Sequence, residues 1–323
     1  MIFTTITLNP CLDRREYLDS FSYGGTNRPY KTRVSAGGKG INVSKTLLDL
    51  IDRHNAFDSA RVNTITIAGG KSGEVFKDKL TRELFLGEAI SGMTVIDSHY
   101  ETRVCTKLIT PSSVTEINEE GKIGENELKA LIDVLADLVA YGGEQVVFLS
   151  GSMPTVVGGE GFPQDKTTCE SFPHLIGNSV ENLIITLLES CGIPVIVDTS
   201  KKSLVESLKA SPSLIKPNDQ ELSELFGRAF ENPKELVDFC RELYVDNGCE
   251  VLCTRGDQGA VFVGKEGIFE QSSHRVFPCD PTGAGDTYLA AFTFARYVKN
   301  MHPKEALAFA DTYTREFLER SLL

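Results

Sequence analysis

Short apolar runs and stripes of apolar residues at helical spacing alternate along nearly the whole chain. Ile2–Leu8 is an apolar run closed by Asn9-Pro10, which predicts a first strand. Residues 11–36 are more polar and carry Gly24-Gly25 and Pro29, so they form a hairpin-like excursion rather than core. Ala36-Gly37-Gly38-Lys39-Gly40 then opens a helix with Val43, Leu47, Leu50 and Ile51 on one face. Arg61–Ala68 predicts a second strand, followed by a helix beginning near Gly73 with Val75, Phe76 and Leu80 inward. Tyr100–Ile109 and Val114–Asn118 pair as strands across Pro111-Ser112-Ser113. Glu125–Tyr141 keeps the 3.6-residue period through Leu128, Leu131, Ile132, Leu135 and Leu138, and Gly142-Gly143 stops it.

The same unit repeats in the second half. Gln145–Leu149 is a buried strand running into Ser150-Gly151-Ser152-Met153-Pro154, and residues 158–173 read as a surface insertion. A helix over Asn178–Cys191 leads to a strand over Ile193–Val197 that stops at Asp198-Thr199-Ser200. A further strand ends at Lys216-Pro217-Asn218, and helices over 219–226 and 233–246 follow, the second capped by Asn232 with Pro233 at its first position. Glu250–Cys253 is a strand, a hairpin runs through Gly264–Gly267, and an apolar run over His274–Pro278 precedes Cys279-Asp280-Pro281-Thr282-Gly283-Ala284-Gly285-Asp286 and two last helices. This alternation predicts an α/β fold: one domain over 1–323 with a doubly wound, mostly parallel sheet flanked by helices. Such sheets bind ligands at their carboxyl edge. The loops at 36–42, 150–154, 198–200, 216–218, 254–259 and 283–286 all follow strands or lead into helices, so they are expected to gather there.

Composition sharpens this picture. The chain of 323 residues is 41% hydrophobic and 24% charged, ordinary for a globular protein. A net charge of −12 argues against nucleic acid or an anionic membrane as partner. Residues 1–50 are locally basic, with Arg14, Arg15, Arg28, Lys31, Arg33, Lys39 and Lys45 against four acids, which suits a small anionic ligand. Eight scattered cysteines without C-x-x-C fit reduced thiols in a cytoplasmic protein. No apolar run approaches membrane-spanning length, and the N-terminus reads as a strand rather than a signal peptide.

The chemistry narrows by exclusion. Gly70-Lys71-Ser72 ends like a phosphate-binding P-loop, but Ile65 stands where its first glycine belongs. No G-x-G-x-x-G follows the first strand, which argues against a dinucleotide oxidoreductase. Ser150 and Ser152 lie outside any G-x-S-x-G elbow, and His54, His99, His174, His274 and His302 are the only histidines available as a triad base. What remains is an anion-friendly turn, Gly283-Ala284-Gly285, that starts a helix and carries a carboxylate, Asp286. That carboxylate is either a helix cap or a base beside a bound anion.

At these residues the chain resembles the ribokinase/PfkB carbohydrate kinases. The resemblance rests on Ala36-Gly37-Gly38-Lys39-Gly40-Ile41-Asn42 and Asp280-Pro281-Thr282-Gly283-Ala284-Gly285-Asp286. Thr7-Leu8-Asn9-Pro10-Cys11-Leu12-Asp13, Glu101-Thr102-Arg103, Thr115-Glu116-Ile117-Asn118, Ser150-Gly151-Ser152-Met153-Pro154 and Lys216-Pro217-Asn218-Asp219-Gln220-Glu221 add to it. Together they are similar to the branch containing 1-phosphofructokinase and tagatose-6-phosphate kinase, in the correct order over about residues 1–300.

The resemblance implies a ribokinase-like core with a small β-sheet lid, here about 11–35 and 98–118, that in this family often pairs with the lid of a second subunit to make a homodimer. It implies transfer of the ATP γ-phosphoryl, with Mg²⁺, to a hydroxyl of fructose 1-phosphate, tagatose 6-phosphate or fructose 6-phosphate. Asp286 is then the general base and the amides of Gly283, Ala284 and Gly285 the anion hole. Asp13 and Asn42 meet sugar hydroxyls, Gly37 and Gly38 let the sugar approach backbone, and Ser150 lies in the same substrate set. Lys39, Arg28 and Arg103 meet the phosphate already on the substrate. Lys216, Asn218 and Glu221 lie near the ATP phosphates, with Glu221 reaching Mg²⁺ through water. Thr254, Gly256 and Gly259 flank the nucleotide.

Two other readings stay open: a kinase of an unphosphorylated sugar or nucleoside, and a phosphosugar-binding regulatory protein without turnover. The chain also departs from the branch. Cys105 replaces an Asn two residues after Arg103, Asp280-Pro281-Thr282 is closer to the ribokinase side, and the 158–173 segment is longer than usual. Ala308–Leu323 lacks the small-residue helix that lines the family's adenine pocket, so Tyr313, Phe317 and Leu318 either pack as core or reshape that pocket.

Overall fold

A computed structural model describes residues 1–85, 90–157, 179–199, 202–273 and 282–320. Among the described residues, nine strands form one sheet. In chain order they are β1 (Ile2–Thr7), β4 (Arg61–Gly69), β5 (Ile90–Ser98), β9 (Gln145–Ser150), β11 (Val195–Asp198), β12 (Leu214–Ile215), β13 (Glu250–Thr254), β14 (Ala260–Gly264) and β15 (Gly267–Gln271). Their spatial order is β15-β14-β13-β12-β11-β9-β1-β4-β5. All neighbours are parallel except the β13-β14-β15 hairpins at one edge. The order reverses between β1 and β9, the position where an open α/β sheet leaves a crevice at its carboxyl edge.

Alternation along each strand explains why both sheet faces are covered. Val147 and Leu149 of β9 join a core cluster with α3 (Glu125–Tyr141), α4 (Val180–Ser190) and α7 (Pro233–Asn247). Val146 and Phe148, pointing the other way, pack with α1 (Lys39–Arg53), α8 (Ala284–Tyr297) and α9 (Pro303–Arg320). Two short helices, α5 (Lys202–Leu208) and α6 (Asp219–Phe226), follow β11 and β12. No helix among the described residues is long and apolar enough to cross a membrane.

A separate four-stranded sheet is built from β2 (Cys11–Tyr17), β3 (Lys31–Gly37), β6 (Arg103–Ile109) and β7 (Val114–Asn118), in the order β3-β2-β6-β7. One of its faces carries Leu12, Val34, Ala36 and Val104 and packs on Phe76, Leu80 and Leu84 of α2 (Gly70–Leu84). Residues 11, 13 and 15 of β2 and 103, 105 and 107 of β6 therefore share the opposite face. The small strands β8 (Lys122–Ile123) and β10 (Thr155–Val156) pair with each other.

Several elements differ from the sequence expectation. The α2 helix begins at Gly70 rather than near Gly73, and Val75 is 48% exposed while Phe76 and Leu80 are fully buried. The β5 strand lacks a sequence signal because Ser91 and Gly92 interrupt its apolar pattern and its register with β4 shifts at Val62/Asn63. The α5 helix, of seven residues, is too short to show a period. Tyr313 is core: it packs with α1 and α8, and its hydroxyl donates to Asp49. The apolar run over 274–278, the whole of the predicted 158–173 insertion and residues 279–281 lie outside the described residues.

Candidate active site

Two glycine turns deliver the charged groups. Gly38 sits between β3 and α1 at φ 138°, and a Cβ there would stand 2.7 Å from the Thr7 methyl, so only glycine fits both the angle and the space. The turn starts α1 with Lys39 at the carboxyl edge of the large sheet. Gly283, at φ 87°, starts α8 in the same way, and Asp286 falls in the first turn of that helix.

Between the two turns lies Asp198, the last residue of β11, with no exposed surface. Its Oδ1 accepts from Lys39 Nζ at 2.9 Å, and its Oδ2 lies 3.3 Å from Lys216 Nζ. Burial alone pushes this carboxyl up, but Lys216 and Lys39 together outweigh burial and hold it below the usual range, so it stays ionised. Burial pulls Lys39 down in turn, and the charges of Asp198, Asp286 and Glu221 more than reverse that, so Lys39 stays protonated.

Asp286 has the opposite balance. It is 6% exposed and accepts a hydrogen bond from Asn42 Nδ2 at 2.7 Å. Burial first and the negative Asp198 second raise its carboxyl above the ordinary range, against the smaller opposing pull of Lys39, Asn42 and Lys216. Two carboxylates in one site are thus driven apart: one is locked as an anion by two lysines, and the other is poised to take a proton. A Cβ on Gly285 would lie 3.5 Å from Lys216 Nζ, so that ammonium stands beside the first turn of α8.

The segment after β12 adds Asn218 and Glu221 as a reciprocal cap of α6. Asn218 Oδ1 accepts from Glu221 N at 2.7 Å, and Glu221 Oε2 accepts from Asn218 N at 2.9 Å. Glu221 Oε1 is 3.9 Å from Lys39 Nζ. Asn218 also bridges to Thr254 at the end of β13, which places the 256–259 turn, with Gly256 and Gly259, next to it. Because the cap is local, Asn218→Ala should cost about 1 kcal/mol of stability, measured by chemical denaturation. A loss of activity beyond what that destabilisation explains would show a second role for the side chain.

On the other flank, Asp13 Oδ2 accepts from the Arg15 guanidinium at 3.0 Å, while its buried Oδ1 has no hydrogen-bond partner. Gly37 packs against it: a Cβ there would be 2.9 Å from both Asp13 Cβ and Cys11 Sγ. Ser150, in register with Asp198 across β9 and β11, also buries an unpartnered hydroxyl oxygen. Arg103 donates to the carbonyls of Asn9, Pro10 and Glu119. Arg28 is exposed on the segment between β2 and β3. Among the described residues, no bond or ion pair joins Arg28 or Arg103 to the Lys39–Asp198–Lys216 group.

The structure therefore brings together Lys39, Asn42, Lys216, Glu221, Gly285 and Asp286. Sequence reasoning assigned a role to each of these, but it placed Asp198, which contacts both lysines, only in an edge loop and without a role. Its signal was available: an aspartate directly after a buried parallel strand stands at the ligand-binding edge of the sheet. The Phe317 ring lies 3.7 Å from where a Gly283 Cβ would be, so the last helix borders the α8 turn.

A family model described as pfkB family carbohydrate kinase matches residues 6–316. The chain is 30% identical to the 1-phosphofructokinase of Borreliella burgdorferi over 297 residues, 91% of this chain and 84% of that protein. It is 31% identical to the 1-phosphofructokinase of Bacillus subtilis over 297 residues, 90% and 84% of the two chains. In fold it is similar to Escherichia coli phosphofructokinase-2 solved in complex with fructose-6-phosphate, with a TM-score of 0.77, 23% identity, and 98% and 94% of the chains covered. The chain is thus a phosphotransferase with an alcohol group as acceptor, and it belongs to the pfkB family of carbohydrate kinases.

Proposed function

We propose that the protein transfers the γ-phosphoryl group of ATP to a hydroxyl of a sugar phosphate. The observation that carries this reading is Asp286: a buried carboxylate with a raised pKa in the first turn of a glycine-started helix, bonded to Asn42 and flanked by Lys39 and Lys216. Phosphoryl transfer needs an aligned hydroxyl, a base for its proton and positive potential for the phosphoryl oxygens. Asp286 takes the hydroxyl proton, the Gly283, Ala284 and Gly285 amides receive the transferring group, and the two lysines balance its charge.

The unpartnered oxygens of Asp13, beside Gly37, and of Ser150 are acceptor positions for sugar hydroxyls. Arg103 and Arg28 serve the phosphate that the sugar already carries. Glu221 suits Mg²⁺: it offers a single carboxylate oxygen on the Lys39 side, and this ion keeps most of its waters and is bound largely through nucleotide phosphates. When bound, the ion neutralises charge on the β- and γ-phosphoryl oxygens.

The names of the two curated relatives put fructose 1-phosphate first among the substrates, ahead of tagatose 6-phosphate and fructose 6-phosphate. The test is ADP release with each of the three, with fructose and with a nucleoside. At least one phosphosugar should support turnover while the unphosphorylated compounds do not. Turnover with fructose or the nucleoside alone would reassign the acceptor. Phosphosugar binding without ADP release from any of them would make the protein a binder.

A further inference from the structure

The inner face of the small sheet carries a cation that the proposed chemistry leaves unused. Lys107, on β6, shares that face with Arg103 and Cys105 and pairs in register with Arg15 of β2 and Glu116 of β7. Its side chain is only 8% exposed. The ammonium does two things there. It lies 3.4 Å from Glu116 Oε1, a carboxylate 46% exposed, and it donates to Thr282 Oγ1 at 3.0 Å. The second contact crosses from the small sheet to the residue immediately before Gly283.

That position matters because the start of α8 is weakly determined from within. Its N-cap is Gly283 in the left-handed region, whose own residue type has no side chain to cap the helix, and Gly285 follows two residues later. Glycines leave such a turn a wide choice of backbone angles. A hydrogen bond from a nearly buried ammonium to Thr282 restricts where the turn begins. It does so from the sheet that also carries Asp13.

We propose that Lys107 is a positioning residue: through Thr282 it sets the α8 turn, and with it Asp286 and the 283–285 amides, in register with a substrate held on the inner face of the small sheet. The inference rests on the phosphoryl-transfer reading above. Contact with substrate is not required of Lys107. Its effect is on the alignment of base and hydroxyl, where a displacement of one ångström costs about 100-fold in rate.

The test combines kinetics with hydrogen exchange on the full chain. Lys107→Met and Thr282→Val should each lower kcat about 10- to 100-fold while KM for the sugar phosphate changes less than about threefold. The double variant should be no slower than the worse single one, because both remove the same bond. Thr282→Ser, which keeps the accepting hydroxyl, should recover most of the lost rate. Amides of the first turn of α8 should exchange faster in Lys107→Met and Thr282→Val than in the wild type. A raised KM with kcat unchanged would make Lys107 a substrate ligand instead. Additive losses, or unchanged exchange in the α8 turn, would overturn the coupling. Thr282→Val, nearly isosteric, keeps the test valid if Lys107→Met does not fold. Should the wild type turn over no phosphosugar at all, the functional reading fails, and the exchange measurement still decides the role of Lys107.

Discussion

Replacing Asp286 with asparagine should lower kcat about 10²–10⁴-fold, the usual cost of losing a general base. The fold should survive, because the amide oxygen can still accept the Asn42 N–H that Asp286 now accepts. Stability should not fall either, and the sign follows from the raised pKa. A group whose folded pKa lies above its unfolded value stabilises fully below the unfolded pKa and loses that contribution as pH rises through the folded one. Once pH exceeds the unfolded value, burying the Asp286 carboxyl is therefore a liability of the fold, and the neutral amide should melt no earlier than the wild type.

The same shift sets the pH profile of the wild type. Its base must be ionised, so kcat/KM should drop on the acid side at a pH above the ordinary aspartate value of about 3.9. This limb should be missing from the residual activity of Asp286→Asn. A variant within a few-fold of wild type, or one that keeps the acid limb, would remove Asp286 from the role of base.

The second large effect is expected at Asp198. Asp198→Ala leaves Lys39 and Lys216 facing each other across the edge of β11 without the one carboxylate that contacts both. Breaking a buried ion pair by removing one partner costs about 3–5 kcal/mol. The lower end applies here, because the Lys39 side chain is 33% exposed and can turn to water. Activity should fall together with stability, since neither ammonium is then held beside Asp286.

The pH dependence again has a definite sign. The carboxyl of Asp198 is lowered in the folded state, so its contribution is present above the unfolded pKa of about 3.9 and is lost as pH falls through the folded value. Denaturation curves of wild type and variant should be furthest apart near neutrality and converge in acid. A gap that stays constant from pH 7 to pH 3 would mean that Asp198 acts by packing rather than by charge. If Asp198→Ala does not fold, Asp198→Asn keeps the shape and tests the charge alone.

Much of the fold was legible because the pattern of the chain is strong where burial is strong. The helix over Glu125–Tyr141 was read to the residue, since five apolar positions repeat at 3.6 residues and a glycine pair ends it. The cap of α7, Asn232, was legible for the same local reason. The β5 strand was not, because a strand broken by Ser91 and Gly92 is defined by pairing with β4 rather than by its own composition. The site divides in the same way. Glycine turns with a charged residue beside them announce themselves, whereas Lys107 is a single polar residue inside a strand, and Asp198 is marked only by its place at the end of one.

By itself, the sequence determined the strand–helix alternation, the two glycine turns and the residue types that meet an anion, because these are short-range consequences of side-chain shape and backbone freedom. Only the tertiary structure decided which charges face each other. Asp198 lies 159 residues from Lys39, and Asn42 lies 244 residues from Asp286. Those contacts exist because the order of the large sheet reverses between β1 and β9 and brings distant strand ends to one edge. The local chain makes Asp286 a carboxylate in a helix turn. Burial, Asp198 and the two lysines, all supplied by other elements, make it a candidate base.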